Sequence, residues 1–203
     1  MAHVAAIANP VTIGNMALSN CGSSASIESF NENSVEAKLI KRWYDFARFQ
    51  VLESSDWNFA RKRAFLALHS EAPPNDWGFR YKRPADCVKV RRIINPAGET
   101  QDEVPFQIMT TDDGDEETIL CNVDDAEVEY TFNLQNTGQY NSLFITALAF
   151  LLGHYICLAL TGKQQIAEAN LRNYFNAVRI AQAINGNEQG RKPDRDAEWV
   201  RER

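Results

Sequence analysis

The side chains able to do chemistry are few and scattered. Histidine, the side chain that titrates near neutrality, occurs three times, as His3, His69 and His154. No His-x-x-x-His spacing joins them, so they form no zinc-type pair. His154 lies inside an apolar run and reads as a core or interface histidine, and His69 as the end of a helix. The four cysteines, Cys21, Cys87, Cys121 and Cys157, are scattered and make no Cys-x-x-Cys unit, and a disulfide framework would be unusual in a chain this size. Reduced, buried thiols are expected. The acidic run Asp112-Asp113-Gly114-Asp115-Glu116-Glu117 departs from the ligand spacing of an EF-hand loop and reads as a hairpin tip. No Walker motif, Gly-rich phosphate loop or nucleophile elbow is present. Carboxylates are abundant, so a glycosidase pair stays possible by composition, but nothing singles one out. The expectation is a protein without cofactor, metal or catalytic residue.

The charge pattern is the stronger signal. The net charge of −6 argues against bulk attraction to nucleic acid. It hides two opposed blocks. From Arg61 to Arg92 nine basic residues face three acidic ones, a net +6. From Ile93 to Phe132 there are twelve acidic residues and no Lys or Arg, a net −12. Two readings follow. Either the blocks pack beside each other within a subunit, or a basic face meets the acidic face of the next copy head to tail. Arg61, Lys62, Arg63, Asp112, Asp113, Asp115 and Glu116 are therefore candidate interface residues.

These residues need elements to position them. Val11–Asn20 reads as a short helix after Asn9-Pro10, stopped at Cys21-Gly22. Asn33 opens a second helix, with Val35, Leu39, Trp43, Phe46, Ala47 and Val51 as its expected core stripe. Lys38, Lys41, Arg42, Arg48 and Glu53 take its wet side. A further amphipathic helix is expected over 57–69, which places Arg61-Lys62-Arg63 on a helix's solvated face. Cys87–Ile94, Val104–Met109, Thr118–Asn122 and Glu127–Phe132 read as short antiparallel strands, with turns at Asp113-Gly114 and Asp124-Asp125.

The longest apolar run, Leu143–Leu160, holds no Asp, Glu, Lys or Arg. As a helix it is about 27 Å long, close to a bilayer core. Its small stripe Ala149-x-x-x-Gly153-x-x-x-Cys157 and the Thr161-Gly162 stop favour a buried spine paired with an antiparallel helix over 163–184, capped at Asn185-Gly186. The segment 187–203 mixes five basic and five acidic residues around one apolar couple, Trp199-Val200. It reads as an arm with Trp199 and Val200 as anchors. The N-terminal MAHVAAIANP lacks a basic n-region, so folding in a cytoplasm is expected.

The fold class expected is α+β: a mainly α-helical bundle (9–76 and 138–186), an inserted antiparallel β lobe (77–137) and a C-terminal charged tail (187–203). Several ordered patterns resemble the tail tubular protein A, or head-to-tail adaptor, family of short-tailed bacteriophages. They are Ile27-Glu28-Ser29-Phe30-Asn31-Glu32 after the first helix, and Trp57-Asn58-Phe59-Ala60-Arg61-Lys62-Arg63. Next come Trp77-Gly78-Phe79-Arg80-Tyr81 leading to Pro84-Ala85-Asp86-Cys87-Val88-Lys89-Val90, and Thr118-Ile119-Leu120-Cys121-Asn122. The last runs from Phe144-Ile145-Thr146-Ala147-Leu148-Ala149 to Thr161-Gly162.

The resemblance implies a structural virion protein, not an enzyme. Such a protein forms a homo-oligomeric ring, a dodecamer, between the portal protein and the tail nozzle protein, with DNA passing through its lumen. Its location is the virion neck, after assembly in the host cytoplasm. The family offers no catalytic residues to carry over, and Trp57 and Phe59 are expected as core aromatics. Two competing classes are a tail-associated hydrolase of envelope polysaccharide and a small membrane protein using Leu143–Leu160.

Overall fold

The computed structural model describes residues 9–96 and 104–188. It is an α+β structure of four α-helices and two small antiparallel sheets among the described residues.

Helix α1 (Pro10–Asn20) starts where Asn9 accepts a bond from the Thr12 N–H and Pro10 supplies a preset φ. It ends before Gly22, whose φ of +70° suits a residue without Cβ. Helix α2 (Val35–Ser54) is capped by Ser34, which accepts from the Ala37 N–H. The expected Asn33 cap is thus one residue early. The expected core stripe is also rotated. Ala37, Ile40, Tyr44, Ala47, Val51 and Leu52 are buried, whereas Val35 and Phe46 are exposed. Arg48, assigned to the wet side, is buried and bonds Asn133 and Leu134. The outer side of α2 also carries large apolar residues at helical spacing, so that spacing alone could not choose between the two sides.

The predicted helix over 57–69 is not formed. Asn58–Ala60 is a single 3-10 turn and Arg61–Phe65 is strand β1. The remaining strands are β2 (Phe79–Lys82), β3 (Cys87–Ile94), β4 (Phe106–Thr110), β5 (Glu117–Cys121) and β6 (Glu127–Phe132). They build two sheets, β1-β6-β3 and β2-β5-β4, with every pairing antiparallel. Strand β1 pairs with β6 from Arg61↔Thr131 to Phe65↔Glu127, so the lobe draws a strand from before residue 77. Tertiary pairing overrides local helical spacing here. Ile93, Val128 and Tyr130 of one sheet and Tyr81, Ile119 and Cys121 of the other share a buried core.

Helix α3 (Ser142–Thr161) is capped by Asn141 and closed by Gly162 at φ +66°. Helix α4 (Gln164–Glu188) runs antiparallel to it and continues past the expected cap at Asn185-Gly186. By length and a mean hydropathy of 2.2, α3 is apolar enough to cross a membrane, and half of its most apolar window is buried within the fold. It is the spine of the bundle, touching α1, α2 and α4. The small stripe explains how. A Cβ at Gly153 would lie 3.1 Å from Asn170 Nδ2 of α4 and 3.4 Å from the Ala17 carbonyl of α1. Both neighbours reach the spine because that position has no side chain.

Bundle and lobe meet at the start of α3. Trp57 is fully buried, donates from Nε1 to the Val51 carbonyl at 2.6 Å, and meets Phe144 edge-on at 5.1 Å. Phe59 packs on the same ring at 5.2 Å, and Tyr140 at 4.5 Å. The two aromatics of the W-N-F-A stretch thus belong to the core, as expected.

Candidate assembly surface

The outer face of the sheet β1-β6-β3 gathers cations around one carboxylate. Strand alternation sends Arg61 and Arg63 to this face and Lys62 to the other. Arg63 Nε donates to Glu129 Oε2 at 2.8 Å, and Arg61 Nε lies 3.7 Å from Oε1. From β3, Arg92 donates to Glu129 Oε2 at 3.0 Å. Its neighbour Arg91 donates to Thr131 Oγ1 at 3.0 Å and to the Trp57 carbonyl at 2.6 Å. Glu129 and Thr131 share a face of β6, so the consecutive Arg91 and Arg92 also share it. The register shift between Val90 and Arg92 makes that possible, because a bulge adds one residue to the strand. Lys89 joins them through Asp56 at 3.2 Å.

Glu129 is 4% exposed. Burial alone would raise its pKa. The hydrogen bonds from Arg92 and Arg63 and the charges of Arg92 and Arg61 outweigh that and hold it below the usual carboxylate range. Burial also lowers the pKa of Arg91, and the neighbouring Arg61 adds to that, while Asp56 opposes it. Three arginines on one glutamate leave the face cationic, with Arg63 and Arg92 still 50% and 40% exposed.

Lys62 does other work. It pairs with Asp86 Oδ2 at 2.6 Å and lies over the Phe132 ring at 4.4 Å. Asp86 also accepts from Tyr130 at 2.9 Å. Burial pushes Asp86 up, but the bonds from Lys62 and Tyr130 bring it below its ordinary value. Lys62 is therefore a brace for the turn into β3, not part of the cationic face.

Asp112, Asp113, Asp115 and Glu116 form the exposed β4–β5 tip, as their turn residues predicted. Thr111 Oγ1 and the Asp115 N–H bond the Asp113 carboxylate and lower its pKa. His69 closes no helix: it follows the isolated Leu68↔Tyr81 bridge and points Nε2 at Glu116, 3.5 Å away. Glu117 is held by Arg83. The carboxylates of Asp112 and Asp115 have no partner among the described residues.

The two charge blocks therefore meet inside the subunit at Glu129 and Glu117. The tip and the outer cationic face do not pair with each other. Arg91, Arg92, Lys89 and Glu129 are functional candidates beyond those expected from sequence. For Arg91 and Arg92 the signal was the break in alternation within Cys87–Ile94, which the bulge accommodates. Trp199 and Val200 lie outside the described residues.

His154 sits within α3 and contacts the Ala167 carbonyl through Nδ1 at 2.9 Å, a packing role between α3 and α4. Cys21, Cys121 and Cys157 are buried free thiols, and Cys87 is half-buried. Burial, with Cys157 beside it, pushes the Cys21 thiol up to about 12, so it stays protonated and unreactive. Among the described residues no three His, Cys, Asp or Glu side chains are grouped to hold a metal ion. No protein-family model matches this chain, and no curated protein matches it.

Proposed function

We propose that this chain is a structural virion subunit, a head-to-tail adaptor acting by assembly rather than turnover. Copies associate head to tail into a closed ring, a dodecamer by the family resemblance, between portal and tail nozzle in the virion neck. DNA passes through the lumen without sequence-specific contact. The subunits fold in the host cytoplasm before assembly.

The observation that carries the reading is the separation of the cationic sheet face from the acidic β4–β5 tip on one lobe. Two different complementary patches are what a heterologous interface requires, and such an interface makes a ring when the rotation between copies closes. The net negative charge suits a conduit that does not grip phosphates. The adaptor-like motifs also fall at joints of the fold: Trp57 and Phe59 at the junction with α3, and Asp86 at the entry to β3. We read α3 as the spine of the bundle and not as a membrane span, because its small stripe is filled by α1 and α4.

The direct test is light scattering and negative-stain imaging of the purified protein, alone and mixed with its portal. Rings or portal-bound rings are expected. A chain that stays monomeric and never binds the portal overturns the reading.

A further inference from the structure

Helix α2 is apolar on two opposite sides. The inner side is sealed against the bundle. The outer side carries Val35, Leu39, Trp43, Phe46 and Phe49 at helical spacing, with Val35 62%, Phe46 50% and Phe49 41% exposed. A second apolar face on a surface helix marks a covered surface. Part of it is already organised. Tyr155 of α3 stacks on Trp43 with centroids 4.9 Å apart and planes 14° apart. Phe46 packs against both rings, at 5.9 and 5.7 Å. Tyr155 is fixed in turn by its bond to Gln50 at 2.5 Å.

We propose that the C-terminal segment 189–203 of the same chain covers this face in the free subunit, with Trp199 seated on the Trp43–Phe46–Tyr155 platform. The inference is independent of the adaptor reading.

Reach supports it. Gln182 bonds the Ser54 carbonyl at 3.3 Å, so α4 passes the C-terminal end of α2. Helix α3 runs antiparallel to α2, with Phe144 on Trp57 and Tyr155 on Gln50, and antiparallel to α4. Helices α2 and α4 are therefore parallel, and α4 ends about 9 Å beyond that contact. The way back to Phe46 is about 20 Å along the axis and roughly 10 Å across the helix. The chain from Glu188 to Trp199 spans up to about 36 Å when extended. A tether of that length gives an effective concentration on the order of millimolar, which a second copy reaches only in dense solution.

One charge pairing also fits. From its C-terminal end, the outer side of α2 presents Glu53, then Phe49 and Phe46, then Arg42 and Lys38. Glu53 and Arg42 are exposed and form no ion pair among the described residues. The segment 189–203 offers Arg191-Lys192, then Asp194, Arg195, Asp196 and Glu198, then Trp199-Val200 and Arg201, Glu202 and Arg203. Laid back along α2, it brings Arg191-Lys192 past Glu53 before Trp199 arrives at the platform. Tryptophan supplies large contact area for two rotatable bonds, which suits an anchor on an aromatic surface.

The test is an engineered disulfide in the full chain. Phe46→Cys with Val200→Cys is oxidised with glutathione disulfide at low protein concentration and compared with Asp112→Cys/Val200→Cys. An intramolecular bond forming at least tenfold faster in the first pair is the expected result. Equal rates, no bond, or mainly disulfide-linked dimers overturn the proposal, the last because a second copy is then the occupant. In parallel, Trp199→Ala in the full chain is expected to raise binding of an apolar dye severalfold. The rise should vanish when Phe46→Ser is added. Unchanged dye binding in Trp199→Ala also overturns it.

Discussion

Arg48 of α2 donates to Asn133 Oδ1 at 2.7 Å and, through the same nitrogen, to the Leu134 carbonyl at 3.0 Å. The bond ties the bundle's inner helix to the chain leaving β6, and the Asn133 N–H is itself held by the Asp86 carbonyl at 2.8 Å. Replacing Arg48 by Met keeps most of the volume but takes the donor from the half-buried Asn133 Oδ1, while the Leu134 carbonyl keeps its bond from the Tyr140 hydroxyl. The expected cost is about 1–2 kcal/mol, read as a fall in the urea midpoint at unchanged slope. Arg48→Lys should recover less than half, because an ammonium cannot reproduce the planar fork. An unchanged midpoint for Arg48→Met would mean that water replaces the guanidinium at no cost.

Gly153 sets the approach of three helices. A Cβ there meets Asn170 Nδ2 at 3.1 Å, which can give way, and the Ala17 carbonyl at 3.4 Å, which cannot. Gly153→Ala should therefore be tolerated within about 1 kcal/mol. Gly153→Val should cost about 2–3 kcal/mol by forcing α1 or α4 outward. Thermal unfolding followed by circular dichroism separates the two. A valine variant as stable as the parent would contradict the close packing.

Glu129 links stability to pH. Its folded pKa is depressed, so its contribution is fully present above the unfolded carboxylate value, about 4.3, and is lost as pH falls through the folded pKa. Asp86 is depressed as well and acts in the same direction. Glu129→Gln removes the counter-charge from Arg61, Arg63 and Arg92. At pH 7 the expected loss is about 2–4 kcal/mol. The gap between variant and parent should narrow as the parent is taken below pH 4. A gap that stays constant down to pH 2 would show that the arginines do not depend on this carboxylate.

Much of this architecture was legible because its signals are local. Alternation and turn residues marked β6, and Asn9-Pro10 marked the start of α1. The composition of Leu143–Leu160 marked the spine. What was not legible depends on partners distant in sequence. Residues 61–65 have helical spacing, and only the pairing with β6 makes them a strand. Of the expected stripe of α2, Ala47 and Val51 are buried and Leu39 and Trp43 pack partly against the core, whereas Val35 and Phe46, at equally regular spacing, are exposed. Only the position of α3 decides which side is inner. For the candidate site, the charge blocks singled out the β lobe. They could not show that Lys62 turns away to Asp86, or that a bulge adds Arg91 and Arg92 to one face.

The assembly reading makes a charge-reversal prediction. Asp112 and Asp115 have no side-chain partner among the described residues, so Asp112→Lys with Asp115→Lys removes no contact seen there. Folding stability should change by less than about 0.5 kcal/mol, as for other exposed substitutions. Ring formation should fail, because like charges placed against the cationic sheet face cost several kcal/mol. Native rings should also loosen as salt rises, since the rim of such an interface is screened over about 8–10 Å at physiological ionic strength. Adding Arg63→Glu to the reversed tip should restore part of the assembly, and its own cost to folding is measurable separately through Glu129. Analytical ultracentrifugation over a salt series reads all three effects. Rings that form equally well with the reversed tip, at every salt concentration, would remove the β4–β5 tip from the interface.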